Sequence, residues 1–256
     1  MTIRKIFIGY EPREAEAFGI ARHSIQRHAP DIPIFAIDLD QVRAAGLYYR
    51  PTSHKDGRLW DDISDAPMAT NFAVARFLTK ELAREGLALF MDCDVLLRSD
   101  VNELFDMADP RFAVQCVQHP NYVPKEATKM DNQLQTMYLR KNWSSVALYN
   151  CDHWANQRLT VEYINRVPGR TLHAFDWLHG DEIGDLPMSW NWLAGVSDPD
   201  ITPDLVHFTN GIPSMPGYEN APYADEWRCE RSCWLAGSHS LIHHPRPMRN
   251  GVEAHF

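Results

Sequence analysis

Between Leu87 and Leu97 the chain runs Leu-Ala-Leu-Phe-Met-Asp-Cys-Asp-Val-Leu-Leu, an apolar stretch interrupted by two carboxylates one residue apart. Five uninterrupted apolar residues after Gly86 predict a strand buried on both faces, as in the interior of a parallel sheet. Two ionised carboxylates are costly in such a setting unless something positive meets them. Alternate residues of a strand share a face, so Asp92 and Asp94 can converge on one hard divalent cation while Cys93 faces elsewhere. A cation held there could in turn hold the diphosphate of a nucleotide. The purely structural alternative has both acids cap the turn and helix that follow, at residues 99–105.

The flanking segments read as α/β units. Residues 3–8 form a strand pattern ending in Gly9-Tyr10-Glu11-Pro12, Phe18, Ala21 and Ile25 recur at helical spacing, Ala29-Pro30 ends that helix, and residues 33–37 are strand-like again. This is a βαβ unit with its ligand-facing turn at Gly9 and Tyr10. Gly9 permits close backbone approach and Tyr10 offers a ring to a base; the alternative is a tight turn with a core tyrosine. Residues 48–66 are polar and aperiodic and predict a long loop. From Asp65 and Pro67 a helix is expected, with Phe72, Ala75, Leu78 and Leu82 as its buried stripe, Arg76 beside the stripe, and Gly86 as its stop. Strands are expected at 112–117 and 144–149. Between them lies the most basic stretch, with Lys125, Lys129, Arg140 and Lys141, either a solvated face or a contact for an anionic substrate. Residues 152–167 predict a helix closed by Pro168-Gly169, and residues 175–191 return toward the core through Asp181 and Glu182. A short strand at 204–208 delivers His207. The order beyond Gly217 is not specified, which divides the chain into a catalytic-type domain at 1–216 and a C-terminal extension at 217–256.

With 256 residues, 45% apolar and 23% charged, the chain can bury a large core. The eight Trp fall mainly in the C-terminal half and predict stacking surfaces for a sugar or another flat ring. A net charge of −9 opposes broad binding to nucleic acid or acidic membrane. No run approaches the roughly 18 apolar residues of a membrane span. The N-terminus enters a strand without a signal-type apolar region, and the five Cys (93, 116, 151, 229, 233) are odd in number and scattered. Both features predict reduced thiols and a cytoplasmic location. Cys229, Cys233, His239 and His243 suggest zinc, but the gap between Cys233 and His239 is shorter than in zinc fingers. Gly-x-Gly-x-x-Gly, Walker, His-Glu-x-x-His and Gly-x-Ser-x-Gly patterns are absent, which removes the usual support for dehydrogenase, P-loop, zincin and α/β-hydrolase chemistry.

In order, residues 7–10, 71–77, 90–96, 142–150, 181–191 and 206–211 together resemble a GT-A glycosyltransferase, most closely family 8 with its bacterial and phage relatives. The resemblance implies a mixed, mainly parallel sheet flanked by helices, with a loop-rich C-terminal region. It implies transfer of a sugar from a nucleoside diphosphate sugar, most simply a UDP-sugar, to an acceptor hydroxyl with retention. The acceptor would be a glycan, a lipid-linked group or a small molecule. Manganese or magnesium would be held by Asp92, Asp94 and His207. Gly9, Tyr10, Arg76, Asp92 and Cys93 would lie against the donor, and Asp181 and Glu182 beside the anomeric carbon. The chain departs from the family pattern at Trp143-Ser144-Ser145, at Asp181-Glu182-Ile183 and at Asn210-Gly211-Ile212-Pro213. Two other readings fit the same residues, a non-catalytic nucleotide-sugar or glycan-binding protein and an enzyme that glycosylates modified DNA bases.

Overall fold

The computed structural model describes residues 2–119, 128–129, 133–134, 140 and 142–237. In chain order the opening unit is β1 (Arg4–Gly9), α1 (Ala15–His28), β2 (Ile34–Ile37) and α2 (Leu39–Ala44). The polar stretch expected to be a loop instead forms a small antiparallel sheet, β3 (Thr52–Lys55), β4 (Arg58–Asp61) and β5 (Ala66–Pro67). Its anchor is internal: Arg50, buried, makes paired bonds of 2.7 Å to both Asp61 carboxylate oxygens. The helix expected from Asp65 begins later. Asp65 takes φ 45° and Ala66 pairs with Asp61, so only a 3-10 turn (Ala75–Leu78) and α3 (Thr79–Ala83) are helical. Gly86 then turns the chain at φ 76°, with the Ile3 carbonyl oxygen 2.4 Å from where a Cβ would stand, and launches β6 (Leu87–Met91).

After β6 come β7 (Val95–Leu97), α4 (Val101–Asp106), β8 (Val114–Cys116), the two-residue pair β9 (Thr128–Lys129) and β10 (Gln133–Leu134), and β11 (Val146–Asn150). The expected helix at 152–167 is broken. Thr160 accepts a bond from Tyr163 N and starts α5 (Val161–Arg166), and Pro168 starts rather than ends a further turn, α6 (Gly169–His173). The chain closes with β12 (Ile183–Asp185), β13 (Trp192–Leu193), β14 (Leu205–His207) and α7 (Ala224–Leu235).

Six strands make the main sheet in the order β12-β8-β11-β6-β1-β2. Every pairing is parallel except the two made by β11. The sheet is thus mainly parallel, and β6 lies inside it with Ala88, Leu89, Phe90 and Met91 fully buried, as the unbroken apolar run requires. A second sheet, β13-β14-β7, carries the chain beyond the acid pair. Among the described residues no helix is long and apolar enough to cross a membrane. Within residues 217–237, α7 packs on α1 through a fully buried Glu230 bonded to Arg27 and His23. His239 and His243 lie outside the described residues, as do Lys125 and Lys141 and the side chain of Lys129.

Candidate functional site

Parallel strands bring their C-terminal ends to one edge, where open α/β sheets usually bind ligands. Here that edge opens into a cleft of about 370 Å³ at the end of β6. Its walls come from the start of α1, residues 69–76, the acid pair, residues 142–145, His173 and residues 207–215.

Asp92 and Asp94 follow β6 directly, and the backbone fixes each. Asp92 N donates to Ser145 O at 2.9 Å, while the Asp94 carbonyl accepts from Phe208 N at 2.8 Å. Antiparallel pairing sets His207 opposite Val95, which delivers the imidazole beside the two carboxylates. His207 Nε2 stands 3.2 Å from an Asp94 oxygen and 4.0 Å from an Asp92 oxygen. One ligand atom from each of the three residues lies within 4.8 Å of the other two. Two hard carboxylate oxygens and one imidazole nitrogen on one small volume fit a manganese or magnesium ion. His207 Nδ1 is bonded to Asn191 at 2.9 Å, deep in the protein.

Arg76 is buried between the Phe72 and Phe90 rings, whose centroids lie 5.2 and 5.1 Å from its guanidinium carbon. Its Nη1 meets Asp92 Oδ1 at 2.8 Å and donates to Ser144 O at 3.1 Å, and its Nε donates to Ala73 O at 3.1 Å. Much of its hydrogen-bonding capacity is therefore turned to the protein around Asp92. Cys93, fully buried, donates its thiol to Glu14 at 3.3 Å, and burial raises its pKa well above the usual thiol value. Gly9 lies behind the cleft wall: a Cβ there would come within 2.3 Å of the Phe72 ring. Tyr10 packs edge-on against Phe18 at 5.2 Å. Neither Gly9 nor Tyr10 is among the cleft-lining residues.

Asp181 and Glu182 are not brought to the cleft. They precede β12, which runs parallel to β6, so they stand at the opposite edge of the sheet. By register Glu182 is level with the start of β6, roughly 16 Å along the strand from Asp92 and three strands away. Glu182 there accepts from His179 N at 2.7 Å and pairs with Arg158.

Three other titratable side chains line the cleft, Arg13, Glu14 and His173. Glu14, at the end of a 3-10 turn opening α1, is raised to about 7 by burial and by the charge of Asp94. His173, ending α6, is bonded through Nδ1 to Ser144 Oγ at 2.7 Å and lies edge-on to Phe77. Burial and the neighbouring Arg76 push it down to about 3, so it is neutral near pH 7. In sequence Glu14 is only one of several acids at a helix start, and His173 follows a Pro-Gly pair that reads as a stop. Neither position carries a motif that distinguishes it.

Over 230 residues the chain is 41% identical to Protein CDI of Arabidopsis thaliana, the match covering 87% of this chain and 84% of that one. No family model matches. Among solved structures the chain is similar to the bifunctional glycosyltransferase WbbM (TM-score 0.60, 14% identity, 93% of this chain and 52% of that one). It is also similar to the glycosyltransferase GlyE of Streptococcus pneumoniae (TM-score 0.58, 13% identity, 93% and 63%). The galactosyltransferase LgtC, solved with donor and acceptor sugar analogs, gives a TM-score of 0.54 at 14% identity, covering 93% of this chain and 98% of that one. The chain thus spans about half of WbbM and under two thirds of GlyE. At these identities the likeness is one of fold, that of GT-A-type glycosyltransferases.

Proposed function

The chain belongs to the family of Arabidopsis Protein CDI, and from its fold and its cleft we propose that it is a metal-dependent glycosyltransferase. It moves a sugar from a nucleoside diphosphate sugar, a UDP-sugar by its resemblance to family 8, to an acceptor hydroxyl with retention. The observation that carries this reading is the convergence of Asp92, Asp94 and His207 in a cleft at the carboxyl edge of a glycosyltransferase fold. LgtC, of like fold, was solved with donor and acceptor sugar analogs, which supports two sugar-bearing ligands for this cleft as well. Residues 1–216 form the catalytic unit in this reading and 217–256 its extension. The odd number and scatter of the five cysteines are the ground for placing the chain in a reducing, cytoplasmic setting.

A manganese or magnesium ion bound by the triad supplies Lewis-acid stabilisation of charge on the departing diphosphate. The chain's own residues do the rest by binding and positioning. Asp92 and Asp94 supply anionic oxygens, and Arg76 holds Asp92 in place while adding positive charge close to the leaving group. Gly9 lets Phe72 close against the end of β1 and so shapes the adjoining wall. Glu14, His173 and Ser144 are among the polar groups that line the cleft and are available to the sugar and the acceptor hydroxyl. A neutral His173 can donate or accept a hydrogen bond without adding charge to the pocket. Asp181 and Glu182, at the far edge of the sheet, have no part in this mechanism.

The test is to incubate the protein with a panel of nucleotide sugars and follow the released nucleoside diphosphate. Turnover is expected with manganese or magnesium, is lost on chelation, and is lost in Asp94→Asn. Binding of nucleotide sugar with no release under any acceptor condition would favour the non-catalytic reading. Turnover that survives chelation and Asp94→Asn would remove the metal from it.

A further inference from the structure

We propose that Asn191 is a positioning residue that fixes the tautomer of His207 and leaves its Nε2 lone pair facing Asp92 and Asp94; the link to metal binding rests on the function proposed above. A neutral imidazole can carry its hydrogen on either nitrogen, and only the unprotonated one can hold a metal. The hydrogen bond at the other nitrogen decides which form is present.

Among the described residues the donors and acceptors around Asn191 can be counted. Asn191 is fully buried. Its Nδ2 donates to Ser145 Oγ at 3.0 Å and to Asn142 O at 3.3 Å. Ser145 Oγ donates its own hydrogen to the same Asn142 carbonyl at 2.6 Å, so toward Asn191 it can act only as an acceptor. Flipping the Asn191 amide would turn its oxygen toward the Asn142 carbonyl, two acceptors face to face in a buried site, at the cost of two hydrogen bonds. The amide is therefore locked with Oδ1 toward His207, 2.9 Å from Nδ1. Nδ1 must then carry the hydrogen and donate it. Nε2 is thereby the nitrogen turned to Asp94 and Asp92, at 3.2 and 4.0 Å, where a bound cation would take its lone pair.

The same network reaches the acid pair by a second route, since Ser145 O accepts from Asp92 N. Asn142, which holds it from above, takes φ 66°, a left-handed conformation that asparagine tolerates better than most residues. Residues 142, 145 and 191 thus join the turn before β11 to the metal-facing ring, and none of the three need touch an ion.

The first arm reads the wild-type ring. Nitrogen-15 NMR of the metal-free protein, with His207→Ala identifying the ring signals, should find a hydrogen on His207 Nδ1, whether or not Nε2, facing the Asp94 carboxylate, carries a second one. A ring bare at Nδ1 would overturn the proposal. In the second arm manganese is titrated in the presence of UDP. Asn191→Leu, with the same branching but without an acceptor, should lose roughly 10–100-fold in manganese affinity. Asn191→Asp, which keeps the acceptor toward Nδ1 but loses both donors to Ser145 and Asn142, should fall between wild type and Asn191→Leu. A folded Asn191→Leu that binds manganese as tightly as wild type would overturn the proposal. A wild type that binds no manganese would sink the metal reading of the function, while the tautomer measurement would still decide the role of Asn191.

Discussion

A carboxylate turned inward beside two others has little to gain from ionising, and Glu14 is in that position. Its raised pKa, about 7 against the ordinary 4.5, gives a stability effect whose sign can be worked out. Between those two values the folded protein holds a proton that the unfolded chain has released, so metal-free stability falls as pH rises through that window. Glu14→Gln should flatten the slope and raise stability above pH 7. Discounted for partial exposure, the gain is on the order of 2 kcal/mol, or roughly 5 °C in melting temperature. Melts from pH 5 to 8 check it, and parallel pH profiles for wild type and variant would refute it. The contrast with Asp92 and Asp94 explains what a sequence can reveal at this scale. Those two follow directly on a short, strongly patterned strand, and alternation alone points them the same way. Glu14, His173 and Asn191 matter because of what folding places next to them, and nothing in their local sequence encodes those neighbours.

Elements were legible where one face is apolar and the period is clean. α1 follows from Phe18, Ala21 and Ile25, and β6 from its unbroken run. The sheet at 52–67 was missed because its strands are short and polar and owe their place to the buried Arg50–Asp61 pair. α7 was missed for a related reason: the face it turns to α1 includes Glu230, a charge where a binary pattern expects an apolar residue. Glu230 receives Arg27 Nη2 at 2.6 Å and His23 Nδ1 at 2.5 Å, while Trp234 covers Gly19, where a Cβ would approach the ring to 2.4 Å. Removing one partner strands a buried arginine. Glu230→Ala should therefore cost on the order of 3–5 kcal/mol, with trypsin cutting first within α7. Arg228→Ala, whose partner Asp225 is exposed, should cost less than about 1 kcal/mol. Equal melting temperatures for the two variants would show that the buried pair does not hold the helix.

At the scale of the whole molecule, the α/β class and the carboxyl-edge site were legible because they follow from strand order and direction. The distance of Asp181 and Glu182 from that site was not, since it depends on which way β12 runs and whom it joins. The union of Asp94 with His207 also has a consequence in time. More than a hundred residues separate them, and the contact forms only when β14 has paired with β7. Long-range pairings of this kind are costly to close and tend to form late. If the triad assembles after the rate-limiting step, a metal ion can recognise the finished molecule and not the state crossed on the way to it. Manganese in stopped-flow experiments should then slow unfolding by the full factor of its stabilisation and leave the refolding rate unchanged. A refolding rate that climbs with manganese would place β7 and β14 together already at the barrier. On the expected outcome, manganese lengthens the lifetime of each completed molecule without hastening the completion of the next.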